Sequence, residues 1–254
     1  YHLLGREDIY LSDPDDVRRV VKELKPWAIV NAAGFVRVDD AETDNEACFL
    51  SNARVPEILA RVCQEEGVKL LTFSSDLVFD GSKRSYVESD EVAPLNIYGK
   101  SKVLAENAVL ANNENALVIR TSAFFGPWDI YNFVIAALQS FKDNRRFVAA
   151  DNVFISPTYV PDLVNNSLDL MLDDAYGVWH ISNTGEVSWA SLAEQIAERS
   201  KYSKSLVEAV PAEQLGWVAL RPKYSVLKSE KGMVLPTLEN ALDRYFEEQR
   251  LIEL

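Results

Sequence analysis

Tyr98 and Lys102 have the types and the spacing of a proton-transfer pair. They stand four positions apart, so on a helix both side chains lie on one face and the ammonium can approach the phenol. A free phenol titrates near pH ~10, and a fixed positive charge beside it is expected to lower its pKa toward neutrality. The same spacing also occurs in helices where both side chains are simply solvated, so the pair needs support from its surroundings.

A hydroxyl group upstream supplies that support. Residues 69–75 are mostly apolar and predict a buried strand that ends in Ser75. Ligands of open α/β sheets bind at the carboxyl ends of the strands, so Ser75 is a candidate third member of the site. Gly81 then predicts a turn, and a polar loop leads to Pro94 just before Tyr98.

Predicted strands alternate with predicted helices around these residues. Asp13 and Pro14 have the types expected at a helix start, and Gly67 predicts the end of a long helix. Such alternation predicts an α/β fold with a Rossmann-like, doubly wound parallel sheet. The predicted strands cover residues 1–4, 27–31, 69–75, 117–121 and 177–181. The predicted helices cover residues 13–26, 39–66, 98–108, 132–141, 160–172, 189–200 and 238–250.

The same pattern predicts two units in the chain. Residues 1–130 are expected to form the Rossmann-like unit that binds the cofactor, and residues 155–182 are expected to return to it. Residues 131–254 are expected to form a smaller mixed lobe that carries substrate contacts, because ligand sites favour the crevice between two units.

Composition and charge exclude several classes of partner. The 254 residues include 26 basic and 39 acidic side chains, and the net charge of −13 argues against binding nucleic acid or anionic membranes. No run approaches the ~18 apolar residues of a membrane span, so we expect a cytoplasmic protein. Cys48 and Cys63 lack metal-ligand or redox spacing and are expected to be buried thiols. His2 and His180 lack the context of a zinc site or a catalytic triad, and no metal is expected.

Segments along nearly the whole chain resemble the extended short-chain dehydrogenases/reductases, most closely the dTDP-4-dehydrorhamnose reductase family. They keep the order of that family, which makes chance similarity improbable. The resemblance implies an NADPH-dependent oxidoreductase, with NADH as an alternative cofactor, that acts on a nucleotide sugar in dTDP-rhamnose biosynthesis. The matching segments are DIYLSDPDDV, IVNAAGFVRVDDAE, FSSDLVFDGS, YGKSKVLAE, VIRTSAFFG, NFV, SPTYVPDL, WHISNTGEVSWASLA and LRPKYSVL.

The resemblance also implies a role for each candidate site residue. Tyr98 would donate a proton to the substrate carbonyl, Lys102 would lower the phenol pKa and bind the nicotinamide ribose, and Ser75 would orient the carbonyl. Arg6 follows residues 1–4, which correspond to the second strand of the family, and a basic side chain at that place favours NADP over NAD. The other candidate cofactor-binding residues are Asp8, Ile9, Ala32, Ala33 and Gly34. The candidate substrate-binding residues are Asp76, Leu77, Ala123, Asn132 and Arg221.

Three departures from the family bear on substrate and cofactor. Leu77 and Ala123 stand where the family has a tyrosine and a tryptophan beside the sugar, so the particular keto sugar is open. The family's strand, glycine-rich turn and helix before Tyr1 have no counterpart, and no two of the ten glycines stand two positions apart. We therefore expect either part of a longer polypeptide or a chain without the usual pyrophosphate site. In either case these residues alone are expected to bind dinucleotide weakly.

Three further possibilities stay open from the sequence. A nucleotide-sugar epimerase or dehydratase shares the Ser, Tyr and Lys but usually retains NAD. A non-catalytic binding or regulatory subunit has the same fold, as in the regulatory subunits of methionine adenosyltransferase. A homodimer is also possible.

Overall fold

The protein, seen here as a computed structural model, is described over residues 1–252. A π-helical turn, Leu50–Arg54, joins the second helix to the third. The helices are α1 (Pro14–Leu24), α2 (Asn45–Phe49), α3 (Val55–Glu66), α4 (Ile97–Asn112), α5 (Phe133–Lys142), α6 (Val160–Leu172), α7 (Trp189–Arg199) and α8 (Leu238–Ile252). The strands are β1 (Ala28–Asn31), β2 (Lys69–Ser75), β3 (Ser85–Tyr86), β4 (Leu117–Thr121), β5 (Phe124–Phe125), β6 (Phe147–Ala150), β7 (Phe154–Ile155), β8 (Thr158–Tyr159), β9 (Gly177–His180), β10 (Val187–Ser188), β11 (Val207–Val210) and β12 (Val226–Leu227).

A parallel sheet with the order β1-β2-β4-β9 forms the centre of the larger unit. Successive side chains of a strand point to opposite faces, and both faces are covered. Leu70 and Val118 pack with α1, α3 and α4. Leu71 and Ile119 pack on the other side, against α6. The predicted Rossmann-like α/β class is therefore confirmed, and its parallel strands bring their carboxyl ends to one edge.

The smaller lobe has its own apolar core between α5, α7 and α8. Phe125, Phe141, Tyr159, Ile196 and Tyr245 are fully buried in it. The chain leaves this lobe through α6 and returns to the central sheet as β9, beside β4. A division of the chain near residue 130, with residues 155–182 returning to the first unit, remains our proposal.

Two predicted elements differ in the structure. Residues 1–4 are exposed and do not form a strand, because no strand within residues 1–252 pairs with them. The long helix predicted from residue 39 is divided into a 3-10 turn, α2, the π-helical turn and α3. Asp39 lies outside it because its carboxylate accepts hydrogen bonds from the amides of Val218 and Ala219.

The remaining predicted elements lie close to their expected positions. Asp13 caps α1 by accepting a hydrogen bond from the amide of Asp15 at 2.9 Å. Both cysteines are buried, and burial raises the pKa of the Cys63 thiol to about 12. Within residues 1–252 no helix has the length and apolar character needed to cross a bilayer.

Candidate active site

The end of β2 and the first turns of α4 carry the three candidate catalytic residues. Ser75 is the last residue of β2 and is buried. Asn96 caps α4 by accepting a hydrogen bond from the amide of Gly99 at 2.7 Å. Tyr98 therefore lies in the first turn of α4 and Lys102 one turn later, on the same face.

Gly99 lets α4 approach the chain that follows β2. A Cβ atom built at this position would lie 2.2 Å from the carbonyl oxygen of Leu77 and 2.9 Å from the Cβ of Pro94. Only glycine therefore permits α4 to pack this closely against the chain that follows Ser75. Sequence reasoning missed the role of Gly99, although a glycine within a predicted helix is a signal of close packing.

Lys102 is buried beneath the ring of Tyr98. Its ammonium donates a hydrogen bond to the carbonyl of Phe73 at 3.2 Å and lies 5.7 Å from the Tyr98 ring centroid. Burial disfavours the charged form and lowers the pKa of Lys102 to about 8.

The pKa of Tyr98 is shifted in the direction opposite to the expected one. Burial raises the pKa of the phenol, and the charge of Asp76 raises it further, while a hydrogen bond with the Ser75 side chain lowers it. The net lowering expected from Lys102 does not occur in the free protein, where burial has the largest effect on this pKa. The ammonium lies over the ring face and is bonded to Phe73. The phenol is thus protonated near neutrality, as a proton donor must be.

Ser75 and Asp76 form a buried hydroxyl and carboxylate cluster. The Ser75 hydroxyl donates to Asp76 Oδ1 at 3.1 Å and accepts from the amide of Leu77 at 3.1 Å. Asp76 Oδ2 accepts hydrogen bonds from the hydroxyls of Ser122, at 2.8 Å, and of Ser225. Burial raises the pKa of Asp76, and the three hydroxyl donors oppose that shift.

A small exposed surface follows β1, next to Lys102. Ala32, Ala33 and Gly34 are exposed there. A Cβ at Gly34 would lie 3.0 Å from Asn52 Oδ1 and 3.7 Å from the Lys102 ammonium. Asn52 fixes this loop from the π-helical turn, because its side chain accepts from the amide of Phe35 at 2.8 Å and donates to the Phe35 carbonyl at 3.0 Å. A ligand can therefore approach the backbone of Gly34 closely.

The other three candidate cofactor-binding residues lie near the start of the chain. Arg6 is exposed. Asp8 is exposed, and its carboxylate accepts a hydrogen bond from the amide of Gly5 at 2.7 Å. Ile9 packs against the core beside α1 and α3, so its side chain has a structural role.

The candidate substrate-binding residues are partly engaged by the protein itself. Asn132 caps α5 and donates to the carbonyls of Gly126 and Asp129, so all of its polar atoms have partners. Arg221 forms a two-point ion pair with Asp39. That pairing lowers the pKa of the Asp39 carboxyl.

Leu77 and Ala123 offer only apolar side chains to a substrate. Leu77 is half-buried after Ser75, and its amide is taken up by the Ser75 hydroxyl. Ala123 has a φ of 40°, in the left-handed region that residues with a Cβ rarely adopt. Such strain often marks a functional segment.

A buried ion pair lies behind the candidate catalytic residues and was missed by sequence reasoning. Arg120 and Glu106 are both about 5% exposed and are joined by two hydrogen bonds, at 2.9 and 2.6 Å. Glu106 also accepts from the hydroxyl of Ser74, next to Ser75. His180 lies 3.3 Å from the guanidinium of Arg120, and burial lowers its pKa. Glu106 stands four positions after Lys102, which is the signal that could have identified it.

Two reductases of known name are similar to this chain in sequence. A protein of Streptomyces niveus named dTDP-4-keto-6-deoxy-D-glucose reductase is 32% identical, over 88% of this chain and 78% of its own length. The dTDP-4-dehydrorhamnose reductase of Escherichia coli is 29% identical, over 93% of this chain and 84% of its own length.

A solved structure has the same fold. The dTDP-4-dehydrorhamnose reductase of Bacillus anthracis, crystallised in complex with NADP, superposes with a TM-score of 0.93. The two chains are 31% identical, and the match covers 97% of this chain and 89% of the other. The resemblance drawn from the sequence motifs is confirmed. Residues 1–250 also match the family described as RmlD substrate binding domain, and the chain belongs to that family.

Proposed function

We propose that this protein uses NADPH to reduce the keto group of a nucleotide-linked 4-keto sugar, as a dTDP-4-dehydrorhamnose reductase does. The observation that carries the proposal is that Ser75, Tyr98 and Lys102 lie together at the carboxyl edge of the sheet, with the Lys102 ammonium 5.7 Å from the Tyr98 ring centroid. The names of the relatives and the NADP in the B. anthracis structure support the same reaction.

The residues after β1 fit a cofactor. The backbone of Ala32 to Gly34 is exposed, and Gly34 leaves open the space beside Asn52 and Lys102 that a side chain would fill. We propose that Gly34 and Lys102 hold the nicotinamide half and that Arg6 contacts the 2′-phosphate. NADPH, when bound, supplies the hydride of the reduction.

The chain's own residues supply the proton and the orientation of the substrate. Tyr98 donates the proton that the carbonyl oxygen needs as it becomes a hydroxyl. The Ser75 hydroxyl holds that oxygen and stabilises its developing negative charge. Lys102 supplies positive charge under the phenol and stabilises the phenolate that remains after the proton has left.

We propose that the sugar lies between Leu77 and Ala123, and that Asn132 shapes this pocket through its loop. Both apolar residues are smaller than the aromatic residues of the family, so we expect a keto sugar that needs no aromatic contact at these positions. Arg221 would bind the diphosphate by exchanging its bond to Asp39 for bonds to phosphate oxygens. A homodimer is compatible with this site and remains a proposal.

Tyr98→Phe tests the proposed function because it removes only the phenolic oxygen. Reduction of dTDP-4-dehydrorhamnose is followed by the loss of NADPH absorbance at 340 nm. In the complete polypeptide we expect the rate to fall about 10²–10⁴-fold, the usual contribution of a general acid, while NADPH binding and the unfolding temperature are retained.

Tyr176→Phe is the matched control, since Tyr176 is 64% exposed in a loop before β9. Its rate should equal that of the wild-type protein. An undiminished rate in Tyr98→Phe would show that Tyr98 is not the proton donor. A wild-type protein that releases tightly held NAD and does not reduce the keto sugar would favour an epimerase or dehydratase.

A further inference from the structure

Asp76 is a buried carboxylate that binds three hydroxyl groups. It is 6% exposed, and its partners Ser75, Ser122 and Ser225 are also buried. Ser75 donates to one carboxylate oxygen, and Ser122 and Ser225 donate to the other. A buried carboxylate needs such donors to replace its lost hydration.

The three hydroxyls come from different parts of the fold. Ser75 ends β2, and Ser122 follows β4, whose last residue Thr121 lies opposite Ser75 in the sheet. Ser225 belongs to a segment after α7 that is fixed to the smaller lobe, because its amide donates to the carbonyl of Phe154 at 3.0 Å. Asp76 therefore joins the catalytic strand to both a neighbouring strand and the lobe.

The direction of the Ser75 proton depends on Asp76. A serine hydroxyl has one proton, and in the free protein that proton is donated to Asp76 while the oxygen accepts from the amide of Leu77. The same hydroxyl also lies within hydrogen-bond reach of the Tyr98 phenol. To hold a substrate carbonyl, Ser75 must turn its proton away from Asp76. The carboxylate would then lose one of its three donors, and Ser122 and Ser225 would remain to stabilise it.

We propose that Asp76 is a positioning residue that, with Ser122 and Ser225, sets the orientation of the Ser75 hydroxyl and couples it to the smaller lobe. This role rests on the proposed reduction, and it differs from the direct substrate contact that the family resemblance implied for Asp76. Without Ser122 or Ser225, Asp76 has fewer other donors and holds the Ser75 proton more firmly. Ser75 then turns its proton to the substrate less readily, so the catalytic step slows although the substrate pocket is unchanged.

The first test compares Asp76→Asn and Ser225→Ala in the wild-type background and in a Ser75→Ala background. In the wild-type background we expect kcat to fall about ten- to a hundredfold, the effect of one hydrogen bond to a charged group, with KM for dTDP-4-dehydrorhamnose changed less than threefold. In the Ser75→Ala background neither substitution should lower kcat further, because residues that act through one group are not additive.

Ser156→Ala is the matched control. Ser156 is buried and its hydroxyl accepts from the amide of Leu227 at 2.9 Å, so it ties down the same segment without a bond to Asp76. We expect it to lower the unfolding temperature and leave kcat unchanged. Equal losses in both backgrounds, or an equal loss of kcat in Ser156→Ala, would show a general structural role and overturn the proposal.

A second measurement needs no substrate and separates this proposal from the proposed function. The Leu77 amide is bonded to Ser75, so its hydrogen exchange reports how firmly that hydroxyl is held. We expect faster exchange in Asp76→Asn and Ser225→Ala than in the wild type and in Ser156→Ala. Unchanged exchange would overturn the positioning role. A wild-type protein that does not reduce the sugar would instead overturn the proposed function.

Discussion

Replacing Gly99 with alanine is expected to damage both stability and catalysis, although alanine is the better helix former. Helix propensity alone favours alanine by about 1 kcal/mol within a helix. The new Cβ, however, would lie 2.2 Å from the Leu77 carbonyl oxygen, about 1.2 Å short of the 3.4 Å at which ordinary contacts begin. The contact atom is backbone, so α4 and the chain after Ser75 must separate.

The magnitude follows from those two effects. Inserting a methyl group into a tightly packed site costs about 1–3 kcal/mol, so we expect a net loss of about 0–2 kcal/mol in the free energy of unfolding after the propensity gain. A displacement near 1 Å between Tyr98 and Ser75 is expected to lower the reduction rate about 10²-fold, because catalysis depends on the position of the reacting groups.

Urea unfolding and the NADPH absorbance assay measure the two effects separately. Lys100→Ala is the matched control, since Lys100 is the next residue of the same helix and is exposed. It should change stability by less than about 0.5 kcal/mol and leave the rate unaltered. A Gly99→Ala protein that is more stable than the wild type and fully active would refute the steric argument.

Three further predictions concern charge. Lys102 has a pKa of about 8 in the folded protein against an ordinary value of 10.5, so the unfolded chain holds the proton more tightly and stability rises with pH between these values. Urea unfolding of Lys102→Met should therefore show its stability falling relative to the wild type from pH 8 to pH 10, and a pH-independent difference would contradict this. In a calorimetric titration, Arg6→Ala should weaken the binding of NADPH about ten- to a hundredfold more than the binding of NADH. Equal losses for both cofactors would show that Arg6 does not contact the 2′-phosphate. Arg120→Leu should lower the free energy of unfolding by about 3–5 kcal/mol by leaving Glu106 buried and unpaired, and the double variant Arg120→Leu with Glu106→Leu should recover part of that loss. A double variant as unstable as the single one would contradict this.

Much of the fold could be predicted because local signals and tertiary packing agree. The Asp13 cap, the apolar strand ending in Ser75 and the Tyr98 to Lys102 spacing each reflect short-range physics that the sequence carries directly. Residues 1–4 could not be placed in this way, because a strand exists only through hydrogen bonds to a neighbour.

The side-chain partners in the site were harder to predict for a different reason. Asp76 and Arg221 have residue types that bind ligands, yet their bonds to Ser225 and Asp39 join positions that are 149 and 182 residues apart. Sequence spacing gives no information about such contacts. The direction of the Tyr98 pKa was likewise mispredicted, because burial depends on the whole fold and has the largest effect on this group.

The π-helical turn Leu50–Arg54 determines how the side chains of α2 are rotated about the helix axis relative to those of α3. Each residue of an α-helix rotates the chain by about 100°, so the wider turn offsets α2 from α3 as one extra residue would. Asn52 lies within this turn, and its two bonds to Phe35 hold the loop that contains Gly34. Deleting one residue here would restore a regular helix and turn Asn52 away from that loop. The irregular turn is thus a constraint on chain length, because a change by one residue would alter which face of the helix meets the loop that contains Gly34.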